Sequence, residues 1–403
     1  MSIWLIVLKS LRQHLLSTSI TALSIALAGG LLMAVWTVKE QSHAAFTSVN
    51  AGFDAVLGAR GSKLQLVLNT IFHLEESPGN IAWADFLEIQ QNPNVDVAIA
   101  IALGDNYRGY RLVGTLTNMF KQVEYAPAKR YHIRPPGRVF DERLREAVVG
   151  SFVAQRLGLK RGDVFHPYHG LIFDEKNAHA ETYVVVGVLE PSNTPADRVI
   201  WIPIEGIERM SGHDPKAAGE ISAVLVKLKA GSANTGFRLD VQYNKEGKRL
   251  TFAWPIGRTI AQLFDKIAWF DHVLGLVAYL VAVIATASIL ASIYNSMNER
   301  RRDIAILRAL GARRSTIFGT IVLEAAAIAA LGMVAAFGVH AIILSAAAVL
   351  IRTQTGVVLE PLAFHSIMIW APLVLIGLSA LGGIIPALKA YRTNVAENLS
   401  PTS

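Results

Sequence analysis

The densest set of reactive side chains lies in the stretch VFHPYHGLIFDEKNAHAETYVVVG, residues 164–187. It holds His166, His169 and His179, three of the chain's eleven histidines, beside Asp174, Glu175 and Glu181. His166 and His169 are three apart, in a proline-containing turn that precedes a strand. Imidazole nitrogens and carboxylate oxygens suit Zn²⁺ or another late first-row divalent ion, and a loop can bring a His-x₂-His pair to a distant third histidine. The spacing matches no recognised zinc motif. Two readings stand: a divalent-metal site facing the extracytoplasmic space, and a polar surface loop with incidental histidines.

Other chemistries find little support. The chain has no cysteine, which excludes disulfides, thiolate zinc sites and cysteine nucleophiles. Gly58-Ala-Arg-Gly61-Ser-Lys63 resembles a phosphate loop at a glance. It lacks both the four-residue spacing between glycines and the glycine directly before Lys-Ser/Thr. Neither G-x-S-x-G nor H-E-x-x-H occurs. Glu75-Glu76 and Asp174-Glu175 are adjacent pairs whose side chains diverge in most backbones, so they are assigned to solvated surface. With no catalytic constellation, the chain is expected not to be an enzyme.

Composition says what must carry these residues. Of 403 residues, 52% are hydrophobic and 17% charged, against roughly 25% charged in soluble domains. That points to a membrane protein. The formal net charge of +7 is modest and local, which argues for a topology signal and against nucleic-acid binding. The expected fold is four transmembrane α-helices with a large α+β extracytoplasmic domain inserted between helices 1 and 2. Residues 1–14 read as a cytoplasmic amphipathic helix, with Ile3, Trp4, Val7, Leu8 and Leu11 at helical spacing beside Lys9 and Arg12. Spans are expected at 15–38, 272–296, 316–350 and 367–388, each about the 20 apolar residues or more that a bilayer demands. The first is too long for a signal peptide and reads as an uncleaved anchor. A short external loop at 351–366 separates the last two spans.

Lys and Arg near the span ends set the orientation. Lys9 and Arg12, six arginines between residues 300 and 314, and Lys389 and Arg392 all fall on one side of a four-span topology. Both termini, the tail 389–403 and the loop 297–315 are therefore cytoplasmic, and residues 39–271 lie outside. That long segment is expected to hold strands in DVAIAIALG, YRGYRLVGTL, ETYVVVGVLEP, RVIWIPI and SAVLVKLK, and helices in WADFLEIQQNP, DERLREAVVGSFVAQRLGL and PIEGIERMSG. Strict βαβ alternation is missing, so a Rossmann sheet is not expected. TFAWPIGRTIAQLFDKIAWFDH reads as a helix running on into the second span.

The cytoplasmic loop has a second property. Helical spacing puts Ile304, Leu307 and Leu310 on one face, with Ile306 beside it, and Gly311 can end the helix. A positive-inside anchor explains the arginines but not this apolar face. A membrane surface or a protein groove could accept it.

The segment NERRRDIAILRALGARRSTIFGTIVLEAAAIAALG resembles the signature of FtsX/MacB-type ABC transporter permeases. Glu299, Arg300, Asp303, Ile304, Ala305, Leu307, Arg308, Ala309, Leu310, Gly311, Ala312 and, further on, Glu324 supply the pattern. Pro386, Ala387 and Ala390 match the family's C-terminal segment, whereas Asn394-Val395 replace a later proline. The resemblance implies a permease that works with a separate ATPase, two copies of each subunit pairing, the second permease being a homodimer mate or a related chain. ATP and Mg²⁺ would sit on the ATPase. It implies that Glu299, Arg300, Arg301, Asp303, Ile304, Leu307, Arg308, Leu310 and Gly311 form the docking segment, that Glu324 is a polar residue inside the membrane, and that nucleotide-driven closure reaches the external domain through span two. The implied location is the bacterial inner membrane, with a periplasmic or outer-membrane partner as a further expectation. The alternative from another class is a membrane-anchored divalent-metal sensor, with Zn²⁺ or a similar ion at the external histidine loop.

Overall fold

The computed structural model describes residues 3–392 apart from 49–50, 172, 209, 211–218, 230, 232, 300–305, 307, 309–310 and 362. The chain divides into two units. One comprises Met1–Gln41, Ile267–Val349 and Glu360–Ser403, the other Ser42–Lys266 and Leu350–Leu359.

The second unit is the α+β domain. Its strands are β1 (Ala55–Ala59), β2 (Ile81–Ala82), β3 (Val95–Tyr107), β4 (Tyr110–Thr115), β5 (Glu124–Ala126), β6 (Lys129–Arg130), β7 (Glu146–Val149), β8 (Val164–Phe165), β9 (Tyr168–His169), β10 (Tyr183–Val188), β11 (Ile200–Pro203), β12 (Glu220–Ile221), β13 (Ala223–Leu228) and β14 (Leu250–Ala253). Among the described residues ten of them form one sheet in the order β14-β1-β13-β3-β4-β11-β7-β10-β8, with β9 also pairing β3. β11 runs parallel to β4 and β10 parallel to β7. The other pairings are antiparallel.

Period-two alternation decides where each side chain goes. Along β3, Ala98, Ala100 and Ala102 enter one core and Val97, Ile99 and Ile101 the other. β13 divides the same way, Val224 and Val226 against Ala223 and Leu225. Both faces are thus apolar and both are covered. Phe86 and Ile89 of helix Trp83–Gln90, Ile204 and Ile207 of helix Ile204–Glu208, and Leu239 of helix Ala233–Val241 cover the first. Leu66 and Val67 of helix Lys63–Thr70 and Phe120 of helix Asn118–Gln122 cover the second. Three further pieces complete this second face, each from a long helix or its continuation. Phe46 stacks on Phe72 at 5.4 Å and meets Phe264 at 5.8 Å. Ile256, Ile260 and Val357 are buried in the same cluster.

The helix expected across DERLREAVVGSFVAQRLGL is instead β7 followed by helix Ser151–Leu157. Four consecutive buried residues in Glu146–Val149 make a short strand that periodicity alone does not separate from a helix. Gly158 ends the helix as expected, in the left-handed conformation at φ +70°. Leu350–Leu359, assigned from sequence partly to a span and partly to a short loop, belongs to the α+β unit.

The first unit is helical. Helix Ile3–Gln13 precedes Leu15–Ser48, and Arg314–Thr355, Ile367–Gly382 and Ile384–Arg392 follow later. Among the described residues three helices are long and apolar enough to cross a membrane: Leu15–Thr47, Arg314–Thr355 and Ile367–Leu388. Leu16, Val334 and Ile342 are each more than 70% exposed on them, a placement suited to hydrocarbon rather than water. The expected second span lies within the 44-residue helix Ile256–Glu299, whose described apolar stretch, Gly275–Ile284, is shorter than a span.

Candidate functional site

Three ligand-type side chains converge at the edge of β3: Asp105, His169 and His179. Strand register places them. β13 pairs β3 as far as Ile101. Beyond it β9 takes the edge, with Asp105 opposite His169 and Asn106 opposite Tyr168. On the β4 side, Leu103 faces Val113 and Asn106 faces Arg111. Gly104 and Asp105 therefore oppose a single residue, a bulge of the kind that re-aims a side chain. A bridge between Tyr168 and Ala178 returns the loop, and the His179 N–H donates to the Pro167 carbonyl at 2.8 Å. Asn106 Nδ2 donates to the Gly170 carbonyl at 2.8 Å and holds the turn beyond β9.

Asp105 is fully buried, a position a carboxylate tolerates only with partners. Its Oδ1 lies 3.2 Å from His179 Nε2 and 3.5 Å from His169 Nδ1. The two imidazoles meet edge to face at 5.5 Å. His179 is buried, whereas the His169 side chain is 56% exposed, so the cluster opens to solvent on one side.

The sequence-predicted trio is not assembled as a trio. His169 and His179 come together, and His166 stands apart. Its ring Nδ1 is 3.1 Å from the Glu181 carbonyl and 3.4 Å from Thr182 Oγ1. His166 lies between β8 and β9, outside both strands, and its side chain is exposed. Asp174 and Glu175 are exposed, and Asp174 accepts from the Lys176 N–H at 3.0 Å. Asp105, which sequence reasoning missed, had one signal: a carboxylate directly after the apolar run of β3, which also carries the exposed Asp96 at its start. Lys63, in the segment resembling a phosphate loop, pairs with Asp240.

In the helical unit, Glu324 is buried and accepts a short hydrogen bond from Ser10 Oγ of helix Ile3–Gln13. His340, on the same helix Arg314–Thr355, is also buried and neither ring nitrogen is hydrogen-bonded. It too went unremarked in the sequence. Of the expected docking residues, Arg300, Arg301, Asp303, Ile304, Leu307 and Leu310 lie outside the described residues. Glu299 closes helix Ile256–Glu299. Gly311 adopts φ +94°, the left-handed region that glycine favours, and its N–H donates to the Arg308 carbonyl at 3.0 Å.

Two family matches together span most of the chain. Residues 15–241 match the MacB-like periplasmic core domain, and residues 275–395 match the FtsX-like permease C-terminal domain. The first alone exceeds half of the 403 residues. The chain belongs to the FtsX/MacB-type ABC transporter permeases. Residues 42–241 of this permease's α+β unit fall within the periplasmic core match; residues 242–266, which include the last strand, and the returning segment 350–359 fall outside it. The residues around Gly311 and Glu324 fall within the permease match.

Two solved structures are similar to parts of the permease. The extracellular domain of the noncanonic ABC-type transporter YknZ from Gram-positive bacteria is 15% identical, with 49% of this chain and 99% of that chain covered and a TM-score of 0.30. The periplasmic region of MacB from Actinobacillus actinomycetemcomitans is 12% identical, with 54% and 94% covered and a TM-score of 0.35. No curated protein matches the chain.

Proposed function

We propose that this permease is the non-catalytic membrane subunit of an ABC transporter whose ATPase is a separate chain, and that nucleotide-driven movement of the ATPase is passed to the external domain. The site of input is the segment from Glu299 to Gly311, and the output is export, substrate extraction or mechanical signalling on the far side of the membrane. The assembly has two ATPases and two permeases in a bacterial inner membrane. Each permease crosses four times, with the helix Ile256–Glu299 supplying the second crossing and both termini in the cytoplasm.

One observation carries this reading: helix Ile256–Glu299 begins with residues buried in the α+β domain and ends at the segment bearing the permease signature. Helical hydrogen bonding along 44 residues makes such an element stiff along its axis, about 66 Å at 1.5 Å per residue. In this reading a displacement at Glu299 travels along the helix toward Ile256.

The test is co-isolation of the tagged permease from native membranes. An ATP-hydrolysing subunit should accompany it. Arg301→Glu combined with Arg308→Glu should lose that subunit and the nucleotide-dependent activity while the permease still reaches the membrane. A permease that purifies without an ATPase, and whose activity survives both charge reversals, overturns the proposal.

A further inference from the structure

We propose that Asp105, His169 and His179 form an exchangeable divalent-cation site on the external domain, taking Zn²⁺ or a similar late first-row ion. The inference does not depend on the ATPase-coupling reading and can stand or fall without it.

The donor set comes first. Two imidazole nitrogens and one carboxylate oxygen suit Zn²⁺ and its neighbours, while Mg²⁺ and Ca²⁺ call for oxygen alone. The geometry comes second. Metal–ligand bonds of about 2.0–2.2 Å in a tetrahedron place donor atoms roughly 3.3–3.5 Å apart. The carboxylate oxygen is already 3.2 Å and 3.5 Å from the two nitrogens, and all three donor atoms lie within 4.8 Å of one another. An ion can enter with only small side-chain movements. Preorganisation comes third. The bulge at Gly104-Asp105, the β3–β9 register, the Tyr168–Ala178 bridge and the Asn106 amide each fix a donor through backbone, not through the ion. A Zn²⁺ site of this kind is positioned before the metal arrives.

The character of the site follows from exposure. Structural zinc is four-coordinate and closed, whereas sites that exchange ligands keep a position open. Here the protein offers three donors, and the exposed His169 borders the solvent. The fourth position goes to water or to a donor brought by whatever delivers the ion. An occupied site also ties β9 and His179 to the β3 edge, so loading stiffens β9 and the backbone around His179. His166 plays no part in it.

The experiment uses the full-length permease in detergent, stripped with a chelator and titrated with Co²⁺ and then Zn²⁺. One equivalent of Co²⁺ per chain should give the visible bands of a low-symmetry nitrogen–oxygen site, and Zn²⁺ should abolish them. His169→Ala removes an exposed donor with least risk to folding and should weaken Zn²⁺ binding on the order of 100-fold or more, since loss of even an outer-shell partner costs 10–100-fold. Asp105→Asn and His179→Ala should do the same, with unfolding followed in parallel by circular dichroism. His166→Ala should bind as the unaltered chain does. Absence of stoichiometric Co²⁺ binding overturns the proposal, as does His169→Ala binding Zn²⁺ with unchanged affinity. A loss caused by His166→Ala equal to that of His169→Ala would also sink the assigned donor set.

Discussion

At the scale of single residues, burial sets the chemistry. His73 is half-buried, adopts φ +56° and lies edge-on to Trp201 at 6.2 Å. Burial, aided by Arg111 and Arg198, lowers its pKa to about 3. The unfolded imidazole protonates near 6.5. Between those values the unfolded chain binds the extra proton, so stability present above pH 6.5 is lost as pH falls toward 3. Thermal unfolding followed by tryptophan fluorescence should show this loss, on the order of a few kcal/mol over the whole window. His73→Asn, which tolerates positive φ, should flatten the dependence. Asp85 is a second case. It accepts the Ala82 N–H at 3.0 Å at the start of helix Trp83–Gln90 and pairs with Arg249 at 2.7 Å. Asp85→Ala should cost about 1–3 kcal/mol through the lost cap and the hydrogen bonds left unmade, read as a lower Tm. Legibility at this scale was partial for the cluster of Asp105, His169 and His179. Proximity in sequence pointed to His169 and His179, which the structure brings together, and equally to His166, which the turn between β8 and β9 places against the Glu181 carbonyl instead. It could not point to Asp105, which reaches the cluster through a strand register and a bulge.

At the scale of elements, small residues set how closely helices approach. A Cβ on Gly332 would lie 2.7 Å from Ile25 Cβ and 2.8 Å from the Ala22 carbonyl oxygen. On Gly30 it would lie 2.6 Å from Val339 Cβ, and on Gly29 2.6 Å from Met333 Sδ. Helices Leu15–Ser48 and Arg314–Thr355 therefore touch along a glycine seam, the packing that serves where lipid offers no hydrophobic drive. Gly332→Leu should lower the thermal stability of the detergent-solubilised permease and its resistance to trypsin. Gly338→Leu, with nothing within 4 Å, should leave both unchanged. The long strands were readable because Val95–Tyr107 and Ala223–Leu228 lie in apolar, largely β-branched runs bounded by turn residues. The short strands β1, β7 and β14 were not, since runs of four buried residues carry no period.

At the scale of the whole molecule, charge and hydropathy indicated a membrane chain with one large inserted domain, and the family matches agree. They did not indicate that the domain is discontinuous. Leu350–Leu359 returns to it after the long excursion of residues 267–349. Val357 and Leu359 are buried, and Arg198 donates to the Gln354 carbonyl. A fragment of residues 42–266 should accordingly be less stable than the same fragment with a peptide of residues 350–359 added, by roughly 1.5–3 kcal/mol for each buried side chain restored. Denaturant midpoints of the two samples check it, and equal midpoints would refute it. The same discontinuity fixes an order of manufacture. When the ribosome has finished residue 266 the domain still lacks the segment that closes its second face, and it goes on lacking it until the chain beyond residue 349 has been synthesised. During that interval an apolar groove stands uncovered, a transient handle for chaperones or proteases that disappears once residues 350–359 take their place.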